Sequence, residues 1–433
     1  MRNELKLSSM FFPVAMVAAV SIVSITASLI LAFLLTTVVA SKSIYYSIPL
    51  VLFGAGFQLI GIYSGVHYGW FILLSALLGA FYQVIANGIL RVYTPFGMLF
   101  LVILILSFIH LLGDTTFLER YFGLIAVLVY MVVLLSFADN YTPQYLENKL
   151  LLGVAFSGLC MAVAVFVLFS SQELSLARDS EMSLAIGDTQ SSPRLLTTVL
   201  GFVLTITSIA LAIEKSGILP KLLYLVSSVT ILMAMAYAGS RMPLIATFIS
   251  ITIGLFVYLL INFRELPAKF FLWVAVFLLF ITALVFYVGE HGVSALPFVP
   301  ESVDSLRIFK TIDFADNGRL IMWGGYLEQM DVLDMLFGIG LGTFGNPHSF
   351  WIGAFIAFGI VGVVPIIFFI LANLFRSLSI GAIYPVAVLT YIILSVSTSS
   401  DIDRMQPWII IAMASLLYVT NLHGWAENET TEQ

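Results

Sequence analysis

Residues 100–106, FLVILIL, sit inside an apolar run from Thr94 to Leu112, and their reading decides the fold class. Apolar side chains follow one another on every face, so neither the alternation of a half-buried strand nor the single stripe of an amphipathic helix is present. Residues 270–280, FFLWVAVFLLF, repeat the pattern. Runs of about 20 such residues match the ~30 Å of hydrocarbon that an α-helix must cross. A membrane β-barrel would show alternating segments of about ten residues instead. The spanning elements are therefore helices.

Working outward from these runs, candidate spans fall at Phe11 to Thr36, Tyr45 to Tyr63, Trp70 to Leu90, Thr94 to Leu112, Tyr121 to Phe137 and Leu150 to Phe169. Further spans fall at Leu195 to Ile213, Leu222 to Ala238, Pro243 to Ile261, Phe270 to Val288, Phe350 to Phe375, Ile383 to Val396 and Met405 to Val419. The expected fold is an all-α polytopic membrane protein of 12–13 transmembrane helices, with residues 1–433 as one integral membrane domain. Twelve is the count if an early segment is re-entrant or broken.

Composition agrees. The 433 residues are 61% hydrophobic and only 10% charged, and the mean hydropathy of +1.08 excludes a water-soluble domain. The single Cys160 leaves no disulfide framework or thiolate cluster within one chain. A net charge of -6, no basic block and no phosphate-cradling loop argue against nucleic acid as a partner and against an ATP-driven motor. The N-terminal MRNELKLSSM carries Arg2 and Lys6 like a signal peptide, but the apolar stretch after it is too long, so it reads as an uncleaved first helix.

Two hydrophilic stretches break the rhythm, a smaller loop at 171–194 and a large one at 289–348. Long loops carry function more often than they merely connect. Within the larger one, Arg319 to Phe337 sets apolar residues at helical spacing against Glu328, Asp331 and Asp334, which predicts an amphipathic helix on the membrane surface. The following GIGLGTFGNPH delivers His348 to the start of a span.

With both loops outside, alternation assigns Lys42, Arg91, Lys149, Lys215, Lys221, Arg264, Lys269 and Arg376 to the cytoplasm. The outside then holds Arg120, Arg178, Arg194, Arg241, Arg307, Lys310, Arg319 and Arg404. An outer set made almost wholly of arginines suits a site that binds a pyrophosphate or several sugar oxygens through planar bidentate forks. An anionic lipid-linked substrate is the natural partner. Thirteen spans in this parity would also put Arg2 and Lys6 outside, so an early segment is expected to be miscounted.

Three features recur along the outer face: Gly239-Ser240-Arg241-Met242-Pro243, then Asn317-Gly318-Arg319 with Trp323, then Pro347-His348-Ser349 followed by Gly359-Ile360-Val361-Gly362. Here the chain resembles the O-antigen ligase and O-antigen polymerase superfamily of bacterial polysaccharide assembly. That family shows His followed by Asn, Ser or Gln, nine residues, then Gly-x-x-Gly, and NPHSFWIGAFIAFGIVG is similar throughout. AGSRMPLIATF, NGRLIMW and GIGLG resemble the family's upstream motifs in order and separation, and the specific resemblance covers Ala236 to Gly362. STSSDIDRMQPWIII is a weaker match.

The resemblance implies a glycosyltransferase of the bacterial inner membrane, its active site facing the periplasm. It would take glycan from undecaprenyl pyrophosphate without nucleotide sugar, metal or other cofactor. Polymerisation of O-antigen, capsule or exopolysaccharide repeats is the leading expectation. Ligation to lipid A core of lipopolysaccharide is the alternative, and a polysaccharide transporter or flippase the rival from another class. The implied partners are the lipid-linked donor, a glycan or lipid A-core acceptor, membrane lipids, and flippase and chain-length regulator proteins.

On this reading His348 is the base that takes the acceptor proton, with an unperturbed pKa near ~6.5, and Arg319 and Arg241 hold the leaving pyrophosphate. Arg178, Arg307, Arg404, Asn317 and Ser349 are candidate donor or glycan contacts. Each has a plainer reading. A lone His at a loop-to-helix junction is commonly a hydrogen-bonded structural residue, and Arg at a helix end commonly an interface anchor. Gly359 and Gly362 read as packing residues, and Asp401-Ile402-Asp403 as a solvated pair rather than a metal site.

Overall fold

The computed structural model describes residues 6–57, 61–63, 66–87, 94–113, 118–137, 143–169, 184–186, 189–191, 193–238, 241–262, 318–343, 347, 349–397 and 402–432. Across them the chain is an all-α polytopic membrane protein. Ten of the described helices are long and apolar enough to span a bilayer, and three shorter apolar helices accompany them. The first ten helices in chain order are α1 (Leu7–Val23), α2 (Ile25–Lys42), α3 (Ile44–Gly56), α4 (Tyr68–Asn87), α5 (Thr94–Gly113), α6 (Leu118–Ser136), α7 (Pro143–Phe169), α8 (Pro193–Ile213), α9 (Ile218–Ala238) and α10 (Arg241–Ile261). After them come α11 (Gly318–Glu328), α12 (Val332–Phe337), α13 (Phe350–Ser379), α14 (Ile383–Ser395) and α15 (Met405–Glu432). Two small antiparallel hairpins interrupt the helices, β1 (Gly61–Tyr63) with β2 (Val66–His67) and β3 (Leu184–Ile186) with β4 (Thr189–Ser191). The second lies within the smaller hydrophilic stretch. The expected span from Phe270 to Val288 lies outside the described residues.

The single span expected at Phe11 to Thr36 is two helices. Ser24 is extended (φ -156, ψ 118); its N–H still donates to Val20 O at 2.8 Å, and its hydroxyl accepts from Ala27 N at 3.2 Å. Closing one helix and capping the next in one residue lets the chain reverse there. The backbone N–H of Lys6 donates to the Tyr46 hydroxyl at 3.0 Å, which sets the start of α1 beside the start of α3. α1 and α2 are therefore antiparallel, and Lys6 and Lys42 share one end of the bundle.

Two helices form the axis. All thirteen residues of α3 are buried, with α1, α2, α4, α7, α8 and α15 packed around it. At 1.5 Å per residue it spans only about 20 Å, short of a membrane crossing. Pro49 lies inside it, and the Pro49 carbonyl accepts from Ser157 Oγ at 2.6 Å. The other axial helix is α15, buried from Met405 to Thr420. Gln406 Nε2 joins the two by donating to Ala55 O at 2.6 Å.

Between helices the polar contacts are made by hydroxyls that find carbonyls or each other, as helices in lipid require. Tyr391 donates to Thr198 O at 2.7 Å, Tyr45 to Leu134 O at 2.9 Å, and Ser28 pairs with Tyr68 at 2.7 Å. On the outside, α5 exposes Met98, Leu101, Ile105, Phe108 and Leu112, a stripe at helical spacing suited to lipid tails.

Helix directions sort the cations. The starts of α6, α8, α10, α13 and α15 and the ends of α5, α9 and α14 meet at one end, so Arg120, Arg194, Arg241 and Arg404 lie there. α11, with Arg319, is tied to the same end through Pro347. Lys6, Lys42, Lys149, Lys215, Lys221 and Arg376 occupy the other end. Every described lysine is thus at one end, and the end bearing the motifs carries only arginine among the described residues.

Candidate functional site at the arginine end

The amphipathic helix expected from Arg319 to Phe337 divides in two. Asp331 accepts from Asp334 N at 2.8 Å and Asp334 returns the bond to Asp331 N at 3.1 Å, a capping box that starts a new helix where one continuous face was expected. α11 is moored by Trp323, whose Nε1 donates to Pro347 O at 2.8 Å. The helix that carries Arg319 is therefore fastened to the residue directly before His348.

α12 ends at Gly338, whose φ of 78 lies in the left-handed region, and Gly340 (φ 92) and Gly342 (φ 89) follow in kind. This loop docks onto a break in α13. Gly359 has φ 60 and ψ -164, so the helix is interrupted there and the carbonyls of Ile356 and Ala357 lack their usual partners four residues on. Ile339 N donates to Ile356 O at 2.8 Å and Gly340 N to Ala357 O at 3.2 Å, filling those positions. The approach is so close that a Cβ on Gly338 would strike the Ala357 carbonyl, and one on Gly359 the Leu336 carbonyl. Two glycine motifs far apart in sequence are thus one packing unit.

Two side chains fix the loop from outside. Tyr121, in the first turn of α6, accepts from Leu341 N at 2.8 Å, and His110 Nε2 lies 3.0 Å from Phe337 O at the end of α5. Neither residue belongs to a motif, and for His110, which matches none, a structural role is the default reading of the sequence.

Between the loop, α13, the start of α6 and the residues before α15 lies a cleft lined by Arg120, Leu341, Pro347, Ile356, Ile402 and Asp403, among others. Its water-accessible volume is about 30 Å³. Gly340, Gly342 and Gly353 also line it, and a Cβ on Gly353 would lie against Pro347 and Ile402. Asp403 is only 8% exposed and shares its oxygens between two cations: Oδ2 is 3.5 Å from Arg120 Nη1, and Oδ1 is 3.8 Å from Arg404 Nε.

Of the candidate site residues, Arg404 does not line the cleft itself but pairs with Asp403, which does. Ser349 is buried at the N-cap of α13, its hydroxyl accepting from Ile352 N at 3.4 Å, so it already has a structural task. Arg241 is the first residue of α10 and Arg319 the second of α11, both at this end of the bundle. Their side chains, together with His348, Asn317, Arg178 and Arg307, lie outside the described residues. The residues before and after His348 are described: Pro347 lines the cleft and Ser349 caps α13. Among the described residues no group of three or more potential metal ligands gathers.

The sequence places Arg120 only among the outer arginines, without singling it out, and Asp403 reads as solvated. The available signal was a cation in the first turn of an otherwise apolar span.

At the opposite end, Tyr384 donates to Glu214 Oε1 at 2.6 Å and Asn421 Nδ2 to Glu147 Oε1 at 3.1 Å. Both carboxylates stand near helix ends, and among the described residues the Asp, Glu, Lys and Arg side chains keep to the first two or last two turns of helices or lie outside them. Compared with known proteins, the chain matches no family model and no curated sequence.

Proposed function

We propose that the protein is an inner-membrane glycosyltransferase that polymerises oligosaccharide repeats carried on undecaprenyl pyrophosphate, working at the arginine end of the bundle, which faces the periplasm. The observation that carries this reading is the convergence of separate motifs on one cleft. Trp323, four residues after Arg319, binds the Pro347 carbonyl, the glycine loop locks to Gly359, and Arg404 pairs with Asp403, which lines the same cleft as Pro347.

In the proposed reaction the acceptor hydroxyl oxygen attacks the anomeric carbon of the donor while His348 takes its proton. The bond from that carbon to the phosphate oxygen breaks, and undecaprenyl pyrophosphate leaves with the electron pair. Charge grows on the leaving group as the bond opens, so guanidinium donors placed around it lower the barrier. One displacement inverts the anomeric centre; a double displacement would need a nucleophilic carboxylate, which no motif offers.

The distribution of charge favours an enzyme over an ion-coupled carrier. Carriers place ionisable groups at mid-membrane depth, whereas the described interior is bridged by neutral hydroxyls. The lysine-bearing end suits the cytoplasm by the usual excess of lysine and arginine in inner loops.

Deleting the gene tests the reading. Single repeats capped on lipid A core are the expected result. Unattached long chains left on the lipid carrier would mean that a ligase was lost, and an unchanged polysaccharide would oppose both.

A further inference from the structure

We infer that α12 is inserted in the membrane leaflet at the arginine end of the bundle, with its apolar side chains against lipid acyl chains. The glycine loop that α12 delivers then lies at the level of the lipid headgroups. This placement follows from depth alone and holds whatever reaction the cleft performs.

α12 turns its apolar side chains outward. Val332 and Leu333 are 74% and 65% exposed, and Met335, Leu336 and Phe337 are exposed as well. The helix of six residues therefore shows five uncovered apolar side chains and buries none. A patch of that kind marks a surface with a partner.

Two neighbouring helices fix its depth. In α13 no side chain from Phe350 to Phe358 is exposed, whereas Ile360, Val361, Val364, Phe368 and Phe375 are, so the lipid-facing part begins directly after the break at Gly359. From Ile360 to Ser379 the helix runs twenty residues, about 30 Å, the full thickness of the hydrocarbon. Gly359 thus marks the hydrocarbon boundary, and it is where α12 ends, since a Cβ on Gly359 would strike the Leu336 carbonyl. α5 gives the same level. Its His110 Nε2 lies 3.0 Å from Phe337 O, about one turn before the helix stops at Gly113. Leu112, an exposed apolar residue, lies farther out still. The end of α12 is therefore at the edge of the apolar layer, and its exposed side chains continue the lipid-facing surface of α5 and α13.

The polar residues agree with this depth. Asp331 and Asp334 close their capping box at the start of the helix, which leaves the apolar side chains to its remainder. Between Glu328 and Phe337 the charged residues are Glu328, Asp331 and Asp334, with no Lys or Arg. Attraction to anionic headgroups therefore contributes nothing, and burial of apolar surface among acyl chains holds the element.

The test uses the full chain in phospholipid vesicles. Cys160→Ala removes the single native thiol, and Leu333→Cys or Phe337→Cys carries an environment-sensitive fluorophore. The quenchers are a doxyl group high on the acyl chain, one near its end, and a water-soluble nickel complex. At both positions emission should shift to the blue, and the high doxyl group should quench several-fold more strongly than nickel. Glu328→Cys should show the opposite order, and Phe368→Cys should be quenched best by the deep doxyl group. Neutral phosphatidylcholine vesicles and vesicles containing anionic phosphatidylglycerol should give the same result. In the unlabelled parent, hydroxyl radicals should oxidise Met335 as little as the lipid-facing Met98, which covers the case of a labelled variant that misfolds. Nickel quenching at 333 and 337 equal to that at 328, with Met335 readily oxidised, would put α12 in water and overturn the inference. Protection from every quencher would overturn it too, because protein would then cover the helix, either a second copy or residues 263–317 of this chain. So would lipid quenching that requires anionic lipid. Glycan transfer enters none of these readouts, so their failure would leave the proposed reaction standing.

Discussion

Replacing Gly359 by alanine should undock the glycine loop from α13 while the bundle stays folded. At φ 60 and ψ -164 the residue occupies a region almost reserved for glycine, where a side chain costs about 1–3 kcal/mol. The new Cβ would also meet Leu336 O and Gly338 N. The chain escapes both by straightening α13, which gives the carbonyls of Ile356 and Ala357 back to the helix and displaces Ile339 N and Gly340 N. Each of those two bonds contributes about 1 kcal/mol net. The two carbonyls exchange one set of such bonds for another, so the penalty on the docked state is the backbone strain of about 1–3 kcal/mol, or about 5- to 150-fold in its population at 1.4 kcal/mol per tenfold. Hydrogen exchange in nanodiscs reads this directly: amides 339–341 should exchange much faster, with far-ultraviolet circular dichroism unchanged and glycan transfer lost. Parental exchange at those amides together with parental transfer would refute the coupling between the two glycine motifs.

Other outcomes follow from the same geometry. Arg241→Lys and Arg319→Lys should each fail to support transfer although the charge is kept, because an ammonium cannot supply two parallel donors; full activity in both would reduce them to membrane anchors. His348→Ala should lower turnover by about 10²–10⁴-fold with donor binding nearly intact. Parental activity should fall as pH drops through the histidine's pKa, since the protonated ring no longer accepts a proton; a flat profile between pH 5 and 8, roughly the range in which His titrates, would contradict the assignment. Reporters fused within Gly289 to Pro347 should be active only on the periplasmic side, and those after Arg264 or at the N-terminus only on the cytoplasmic side.

The spans were legible because burial in lipid leaves a composition signal that needs no tertiary knowledge. The breaks were less so. Ser24 has neither Gly nor Pro near it to mark a reversal, the run's one proline being Pro13 far upstream, and serine is at home in membrane helices, so two helices read as one. Asp331 and Asp334 did carry their signal, an acceptor three residues ahead of a second one, but their charges also fit the polar face of a longer helix. Ser349 presents the same ambiguity: a serine before an apolar run is a helix cap as readily as a ligand contact. Gly359 was read as a packing residue, and its partner at Gly338 emerges only when α13 breaks and the loop arrives. The pairing of Arg120 with Asp403 was beyond reach, because no periodicity links the first turn of α6 to the residues before α15.

The central claim is that the cleft forms a glycosidic bond. Purified protein in vesicles, given labelled undecaprenyl-pyrophosphate oligosaccharide and no nucleotide sugar, measures it in one experiment. The expected result is a ladder of two or more repeats with release of undecaprenyl pyrophosphate, abolished by His348→Ala. Labelled glycan lipid that crosses the bilayer without any new glycosidic bond would contradict the claim and make the protein a transporter.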